Sequence, residues 1–138
     1  MTPAIDVSVP APESAAAELH ANLVAAGQTV AKEDYDTFLL SCRGGTGQLT
    51  AGCKGEIFWQ TAHISELWVD ESLRGQGIGA ALLARADAEA RQRGCHQIHI
   101  ETRSEGARRL YEREGYEVMA ELPRYQGAQS FYFLRKSL

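Results

Sequence analysis

The sequence has few cysteines, and the three that it has are scattered. Cys42, Cys53 and Cys95 lie far apart and include no Cys-x-x-Cys pair. An odd number at this spacing argues against a disulfide framework and against a cysteine-rich zinc site. We therefore expect reduced, partly buried thiols and no metal.

Long apolar segments are also missing from the sequence. No run approaches the roughly 20 residues that a membrane-spanning helix needs. The alanine-rich patch at residues 15–17 has neither a basic start nor a continuous apolar segment, so it does not resemble a signal peptide. We expect a cytoplasmic protein without a membrane partner.

An excess of positive charge is missing as well. The net charge of −4 argues against a protein that binds nucleic acid through phosphate contacts. Residues 1–72 hold ten acidic and three basic residues, whereas residues 73–138 hold eight acidic and eleven basic ones. A basic half suits an anionic ligand and an acidic half suits a cationic one, although chance scatter of surface charge gives the same counts.

What is present fits one ordinary globular domain. The chain has 138 residues, of which 44% are hydrophobic and 23% are charged, so we expect a single domain over residues 1–138. The apolar periodicity predicts a mixed α/β sheet covered by helices, in the order β-α-β-β-β-α-β-α-β-β. The predicted strands are 5–9, 37–42, 48–53 with 56–59, 63–69, 97–101, 116–122 and 130–135, and the predicted helices are 14–26, 78–90 and 105–114. A loop at 123–127 would join the last two strands as an antiparallel pair.

The stretch from Leu67 to Leu83 carries the chemistry. A predicted strand enters a glycine-rich turn at Arg74–Ala80, and a helix leaves it. Free N–H groups and the positive end of the dipole meet at the start of a helix, and glycines let a bulky anion approach the backbone. With the added charge of Arg74, this arrangement suits a diphosphate.

Two motifs resemble those of the GNAT superfamily of N-acetyltransferases. Arg74-Gly75-Gln76-Gly77-Ile78-Gly79 matches its [R/Q]-x-x-G-x-[G/A] motif, and Leu67-Trp68-Val69 resembles its cofactor-binding strand. Residues 107–116, Ala-Arg-Arg-Leu-Tyr-Glu-Arg-Glu-Gly-Tyr, resemble its A-x-x-L-Y-E-x-x-G-[Y/F] segment. Their order and spacing also fit, so the resemblance implies a GNAT-like, mostly antiparallel sheet of six to seven strands flanked by helices.

The resemblance also implies roles for individual residues. Acetyl-CoA would be the cosubstrate, with its pantetheine arm on the backbone of Leu67, Trp68 and Val69. The Val69 N–H would polarise the acetyl carbonyl, and Tyr111 would be the general acid that protonates the departing thiolate. The pyrophosphate would bind the backbone amides of Arg74, Gly75, Gln76, Gly77, Ile78, Gly79 and Ala80.

Two further residues are candidates for the site. Glu66, one position before the cofactor strand segment, is a candidate general base or amine-orienting carboxylate. Ser104 stands where the family often has Asn, so its hydroxyl is a candidate contact to the cofactor arm. By contrast, His63, His96 and His99 lack metal-ligand spacing and are expected to be exposed or satisfied by neighbours.

Two alternatives to an acetyltransferase remain at this point. Gly75-x-Gly77-x-x-Ala80 also satisfies a dinucleotide fingerprint, with Glu101 near the position of a ribose-binding acid. A non-catalytic acyl-CoA sensor on the same fold would keep the glycine loop but tolerate loss of Tyr111. The acceptor is not named by the sequence, beyond a small-molecule or protein amine. For the aromatic C-terminus, with Tyr125, Phe131, Tyr132 and Phe133, three places remain open: the acceptor pocket, a homodimer interface and, favoured for at least two of these side chains, the core.

Overall fold

The computed structural model describes residues 2–138, which divide into two compact units at Glu33 and Asp34. The first unit contains helix α1, Glu13–Ala25, and a short 3₁₀ turn at Lys32–Asp34 follows. The helix ends where Gly27 adopts a left-handed φ of 68°, which confirms the predicted stop, although Pro12 rather than Ser14 is the N-cap. No helix within residues 2–138 is long and apolar enough to cross a membrane. The single domain over the whole chain stays a prediction.

The predicted strand at residues 5–9 is wrong. These residues form no strand, and the side chains of Ile5, Val7 and Val9 are 81%, 85% and 88% exposed. Alternation of apolar and polar residues produces a strand only when a neighbouring strand supplies hydrogen bonds and a surface to cover. Residues 5–9 pair with no strand of the described chain.

The second unit contains a six-stranded sheet with two helices. In chain order its elements are β1 (Tyr35–Arg43), β2 (Leu49–Phe58), β3 (Thr61–Val69), α2 (Ile78–Gln92), β4 (Gln97–Thr102), α3 (Glu105–Arg113), β5 (Glu117–Gln126) and β6 (Gln129–Ser137). The spatial order is β1-β2-β3-β4-β6-β5. Only β3 and β4 pair in parallel, so the mixed, mostly antiparallel sheet predicted from the sequence is confirmed.

Two strands run further than their sequence patterns indicate. Strand β2 is continuous through Gly55, because the absence of a side chain there makes room for the Phe38 ring: a Cβ atom would lie 2.2 Å from it. Strand β5 continues through Pro123 to Gln126. It is one of the two edge strands of the sheet, and proline is tolerated at an edge because its missing N–H need not break a hydrogen-bond ladder.

The two faces of β3 and β4 differ in chemistry. One face carries Ala62, Ile64, Ile98 and Ile100, which are buried in the core with Leu82, Leu83, Ala86 and Ala90 of α2. The alternate residues of the same two strands, His63, His99 and Glu101, are half-buried on the opposite face. The core therefore fixes the strands on one side and leaves polar side chains aligned on the other.

Candidate active site

The site begins where β3 and β4 separate. Their parallel pairing ends at Ile64 and Ile100. In the same place β3 has one residue more than its other neighbour, because Lys54 pairs with Glu66 and Gly55 pairs with Ile64, which leaves Ser65 as a bulge. Bulges bend a strand and increase its twist. Beyond the bulge, β3 pairs with β2 only, so its other edge offers unpaired backbone groups.

A cavity of about 830 Å³ lies against this free edge. We call it the glycine-loop cavity. It brings together most of the residues predicted from the motifs: Leu67, Trp68, Val69, Arg74, Gly75, Gly77, Ile78, Gly79, Ala80, Ser104 and Tyr111. Gln76 belongs to the same loop but does not line the cavity. Ala107 and Leu110 of α3 complete an apolar part of the wall.

The glycine loop presents backbone N–H groups to this cavity. A 3₁₀ turn, Glu71–Leu73, precedes it, and α2 begins directly after it at Ile78. Gly75 and Gly77 have φ values of 76° and 79°, a left-handed conformation that glycine adopts without steric cost. Ala81 is the first residue of the helix whose N–H reaches a carbonyl, that of Gly77. The N–H groups from Gly75 to Ala80 have no backbone acceptor among residues 2–138 and are available to an anion.

Arg74 ties the loop back to β3. Its Nε donates to the Val69 carbonyl oxygen at 3.1 Å, while the side chain stays exposed and lines the cavity. Asp70 supports the turn between them, since its carboxylate accepts a hydrogen bond from the Ser72 N–H at 3.1 Å. This hydrogen bond restrains the Arg74 side chain, so its positive charge stays near the free N–H groups.

Ser104 has a structural task at the cavity wall. Its Oγ accepts a hydrogen bond from the Ala107 N–H at 3.2 Å, which caps the N-terminus of α3. A serine hydroxyl that accepts one bond keeps its own hydrogen as a donor. Ser104 can therefore cap the helix and contact a ligand at once.

Tyr111 lies between two cavities. Its side chain is 6% exposed, and it lines both the glycine-loop cavity and a second cavity, as Leu67 and Trp68 of β3 also do. Burial, with a smaller contribution from the neighbouring Cys53, raises the pKa of Tyr111 to about 12. The phenol therefore keeps its proton at neutral pH and can donate it.

The second cavity has a volume of about 580 Å³, and we call it the carboxylate cavity. Glu66 and Glu101 line it together with Arg103, Trp68 and Tyr111. Glu66 is exposed and does not line the glycine-loop cavity, so the structure separates it from most of the other predicted site residues. The volume lies within the roughly 300–1,000 Å³ of small-molecule sites.

Glu101 is a residue of this cavity that the motifs did not identify. Its carboxylate oxygens lie within hydrogen-bonding distance of the rings of two histidines: Oε2 is 2.6 Å from His63 Nε2, and Oε1 is 3.0 Å from His99 Nδ1. His63 and His99 are thus satisfied by neighbours, as expected, whereas His96 is exposed. The signal in the sequence was the alternation of polar residues at 97, 99 and 101, which places them on one face of a strand. The register that adds His63 to them is not encoded locally.

The topology decides between the fold alternatives. A dinucleotide-binding domain requires a doubly wound, mostly parallel sheet. Here one strand pair is parallel, and Glu101 lines the carboxylate cavity rather than the cavity of the glycine loop. The dinucleotide alternative is therefore wrong.

The sequence profile of the acetyltransferase (GNAT) family matches residues 8–116. The chain belongs to this family. It is similar to blasticidin-S acetyltransferase of Streptomyces morookaense, with 40% identity over 107 residues that cover 77% of this chain and 76% of that protein. It is also 36% identical over 97 residues to an acetyltransferase of Agrobacterium fabrum, covering 70% of this chain and 71% of that protein. The chain is therefore an acyltransferase of the acetyltransferase type, which uses acetyl-CoA as its cosubstrate.

Solved structures agree with this assignment. A crystal structure from Agrobacterium tumefaciens, described as an acetyltransferase, superposes with a TM-score of 0.84 at 30% identity and covers 98% of this chain and 99% of its own. An acetyltransferase from Bacillus cereus superposes with the same TM-score of 0.84 at 23% identity, covering 96% of this chain and 98% of that one. The second similarity supports the fold alone. Both confirm the GNAT-like architecture expected from the motifs.

Proposed function

We propose that this acetyltransferase moves the acetyl group of acetyl-CoA directly to a primary amine within a ternary complex. The observation that carries the proposal is the position of Tyr111, which lines both cavities at the gap between β3 and β4. One cavity offers free backbone donors to an anionic cofactor, and the other offers carboxylates to a cationic amine. The acetyl group and the amine would meet at the phenol.

The glycine-loop cavity would hold acetyl-CoA. The N–H groups of Gly75–Ala80, including that of Gln76, would bind the pyrophosphate, and the guanidinium of Arg74 would add charge. The Arg74 N–H, predicted to join them, donates instead to the Glu71 carbonyl oxygen at 3.3 Å. The free edge of Leu67–Val69 would pair with the pantetheine arm as an added strand. The Val69 N–H would then polarise the acetyl carbonyl, and the hydroxyl of Ser104 would donate to the arm. The Leu67 and Val69 side chains pack against the core, so they leave the backbone edge free for this pairing.

Two side chains would act on the reacting groups. Tyr111 would protonate the thiolate as the tetrahedral intermediate collapses, since burial keeps its proton in place. Glu66, exposed at the carboxylate cavity, would bind the ammonium group and orient the amine after it loses a proton. Transfer through a covalent cysteine is disfavoured, because burial raises the pKa of the Cys53 thiol to about 11 and no cysteine lines either cavity.

The acceptor class that fits best is a small cationic amine. Two carboxylates in a cavity of about 580 Å³ favour a molecule with a positive group of modest size. One relative is named for blasticidin-S, and another, an N-acetyltransferase of Salmonella typhimurium, is named for aminoalkylphosphonates. Their names differ in the acceptor, and they support a small-molecule amine rather than a specific compound.

We also propose that the protein acts as a homodimer in the cytoplasm, where acetyl-CoA is available. Strand β5 is a sheet edge, and the β5–β6 hairpin exposes large apolar side chains. These are Val118, Met119, Leu122, Tyr125 and Phe133. Exposed apolar patches of this kind are typical of protein interfaces. A monomer in sedimentation equilibrium at assay concentrations would contradict the homodimer.

A thiol-release assay with acetyl-CoA and a panel of amines tests the proposed function. The expected result is CoA release that depends on one class of cationic amine, with intersecting initial-rate lines as both substrates are varied. Parallel lines would contradict direct transfer. Acetyl-CoA binding in calorimetry without release by any amine would instead favour a non-catalytic sensor.

A further inference from the structure

His63 is held between two carboxylates. Its Nδ1 lies 2.9 Å from Glu56 Oε1, and its Nε2 lies 2.6 Å from Glu101 Oε2. The ring stacks on that of His99 with 4.4 Å between centroids, and its side chain is 20% exposed. Register sets this arrangement, because His63 pairs with Glu56 on β2 and with His99 on β4.

The chemistry of this arrangement is that of a proton carrier. A neutral imidazole donates from one nitrogen and accepts at the other, whereas an imidazolium donates from both. With its own proton on Nδ1, the neutral ring donates to Glu56 and leaves Nε2 free to take a proton from a protonated Glu101, and the imidazolium so formed can release its Nδ1 proton to Glu56. A histidine held by a single carboxylate, such as His99, has no such second acceptor.

Glu101, His63 and Glu56 form a proton path, and the two ends of this path lie in different places. Glu101 lines the carboxylate cavity. Glu56 lies two strands away, and its Oε2 accepts a hydrogen bond from the Tyr35 hydroxyl at 2.8 Å on the exposed edge strand β1. Burial acts to raise the pKa of Glu56, but hydrogen bonds from Tyr35 and His63 lower it below its usual value. Glu56 therefore favours the carboxylate form and gives up a proton to solvent more readily than an ordinary glutamate does.

The proton balance of amine acetylation calls for such an exit. An ammonium substrate has two protons to lose before it becomes an amide. One returns to the departing sulfur, through Tyr111 in the proposed function, and makes the free thiol. The other has to leave the cavity for solvent, so each turnover of an ammonium substrate releases one net proton.

We propose that Glu101 is the general base of the reaction and that His63 and Glu56 pass its proton to solvent. This proposal rests on the proposed function of the same site. An N–H bond of the ammonium breaks and an O–H bond forms on Glu101, which then protonates His63 Nε2. The imidazolium gives its Nδ1 proton to Glu56, which releases it to water, and the ring regains its first tautomer by exchange with solvent. Glu66 keeps the role of orienting the amine.

Other ionisable groups face the proton path from every neighbouring strand. Tyr35 lies on β1 and donates to Glu56, and Lys54 on β2 is near enough to favour the Glu56 carboxylate. Glu66 and Arg103 line the cavity beside Glu101, while Arg135 of β6 pairs with His99 and donates to Gln97 at 2.6 Å. Neither arginine makes a hydrogen bond to Glu101 or His63. The proton path therefore has no permanent cation within it.

Four variants, each with glutamine in place of one residue, test the proton path. We expect Glu101→Gln to lower kcat/KM for the amine about 100-fold at neutral pH, with a rate that then follows the neutral-amine fraction as pH rises. His63→Gln and Glu56→Gln should lower kcat/KM for the amine less than Glu101→Gln does. They should also shift the pH profile toward higher pH, where more of the amine is neutral. His99→Gln is the matched control, since it removes a ring on the same carboxylate but leaves the path to Glu56 intact. Its pH profile should stay that of the wild type.

The basicity of the acceptor separates a chemical role from a structural one. An analogue fluorinated beside the amine-bearing carbon is neutral at the assay pH and releases no net proton. The Glu101→Gln penalty should shrink for this analogue. An equal penalty for both acceptors, or a wild-type pH profile in Glu101→Gln and His63→Gln, would overturn the proposal. Acetyl-CoA calorimetry on each variant reports folding. A wild-type protein that acetylates no amine would refute the proposed function instead.

Discussion

The glycine-loop cavity and the carboxylate cavity are built mostly from different parts of the chain. The glycine-loop cavity offers mainly backbone N–H groups, from a loop and from a strand edge that the bulge at Ser65 sets free. The carboxylate cavity offers side chains, above all Glu66 and Glu101. A backbone site needs particular conformations, whereas a side-chain site needs particular residues. The first suits a cofactor shared by a family, and the second suits an acceptor peculiar to one member.

The largest effect should come from Tyr111, which lines both cavities together with Leu67 and Trp68. We expect Tyr111→Phe to lower kcat at least about 100-fold, because the thiolate would leave without a proton donor. The affinity for acetyl-CoA should change little, since the ring remains. Because burial raises the pKa of Tyr111 to about 12, the wild-type rate should show no loss through ionisation of this phenol as pH rises, until the pH approaches that value. Stopped-flow turnover across pH measures the loss of kcat and the pH dependence of the wild-type rate. Equal rates in the wild type and in Tyr111→Phe would remove Tyr111 from the mechanism.

A matched pair of glycine substitutions separates cofactor binding from stability. Gly77 and Gly94 flank the two ends of α2, and both have a φ of 79°. An alanine at either position should cost about 1 kcal/mol of unfolding free energy because of the left-handed backbone. Only Gly77→Ala should also weaken acetyl-CoA binding, by about tenfold, because the added Cβ and the disfavoured left-handed φ would disturb the loop whose N–H groups face the anion. Calorimetry with chemical denaturation distinguishes them; equal affinities would mean that the loop does not bind the pyrophosphate.

Glu66→Gln should act on the other cavity alone. We expect KM for a cationic amine to rise about fivefold, which corresponds to the loss of one partly exposed charge interaction of about 1 kcal/mol. The dissociation constant of acetyl-CoA should stay unchanged, because Glu66 does not line the glycine-loop cavity. Steady-state kinetics at saturating acetyl-CoA provides the test. A large loss of kcat with unchanged KM would make Glu66 rather than Glu101 the base.

The smallest effect is expected at Ser104. Ser104→Ala removes the cap of α3 and should lower stability by about 1 kcal/mol, with a change in acetyl-CoA affinity of about twofold. Ser104→Asn keeps a capping oxygen and should restore stability. Thermal unfolding and calorimetry on both variants check this. Full affinity in Ser104→Ala would leave Ser104 with capping as its only role.

The sequence predicts the two cavities unequally well, for physical reasons. Left-handed glycines before a helix are a local signal, so the loop from Arg74 to Ala80 could be identified from a few residues. The proton path from Glu101 through His63 to Glu56 joins residues of β4, β3 and β2. Its contacts depend on the registers between these strands, which no local pattern in the sequence encodes. The same limit explains the strand wrongly predicted at residues 5–9, whose alternation is correct but whose partner is missing.

The extra residue at Ser65 also sets a rule of parity for this strand. Before it, odd-numbered residues such as His63 face away from the core, and after it the even-numbered Glu66 and Trp68 are the exposed ones. Deleting Ser65 would leave Gly55 opposite Ile64 and Lys54 opposite Glu66, so Glu66 would still face outward and Leu67 inward, but the strand would lose the bend and added twist of the bulge. Adding a residue after the bulge would instead turn Leu67 and Val69 outward. The extra residue therefore sets the direction in which the strand runs past β4, whereas the register with β2 sets which side chains face outward.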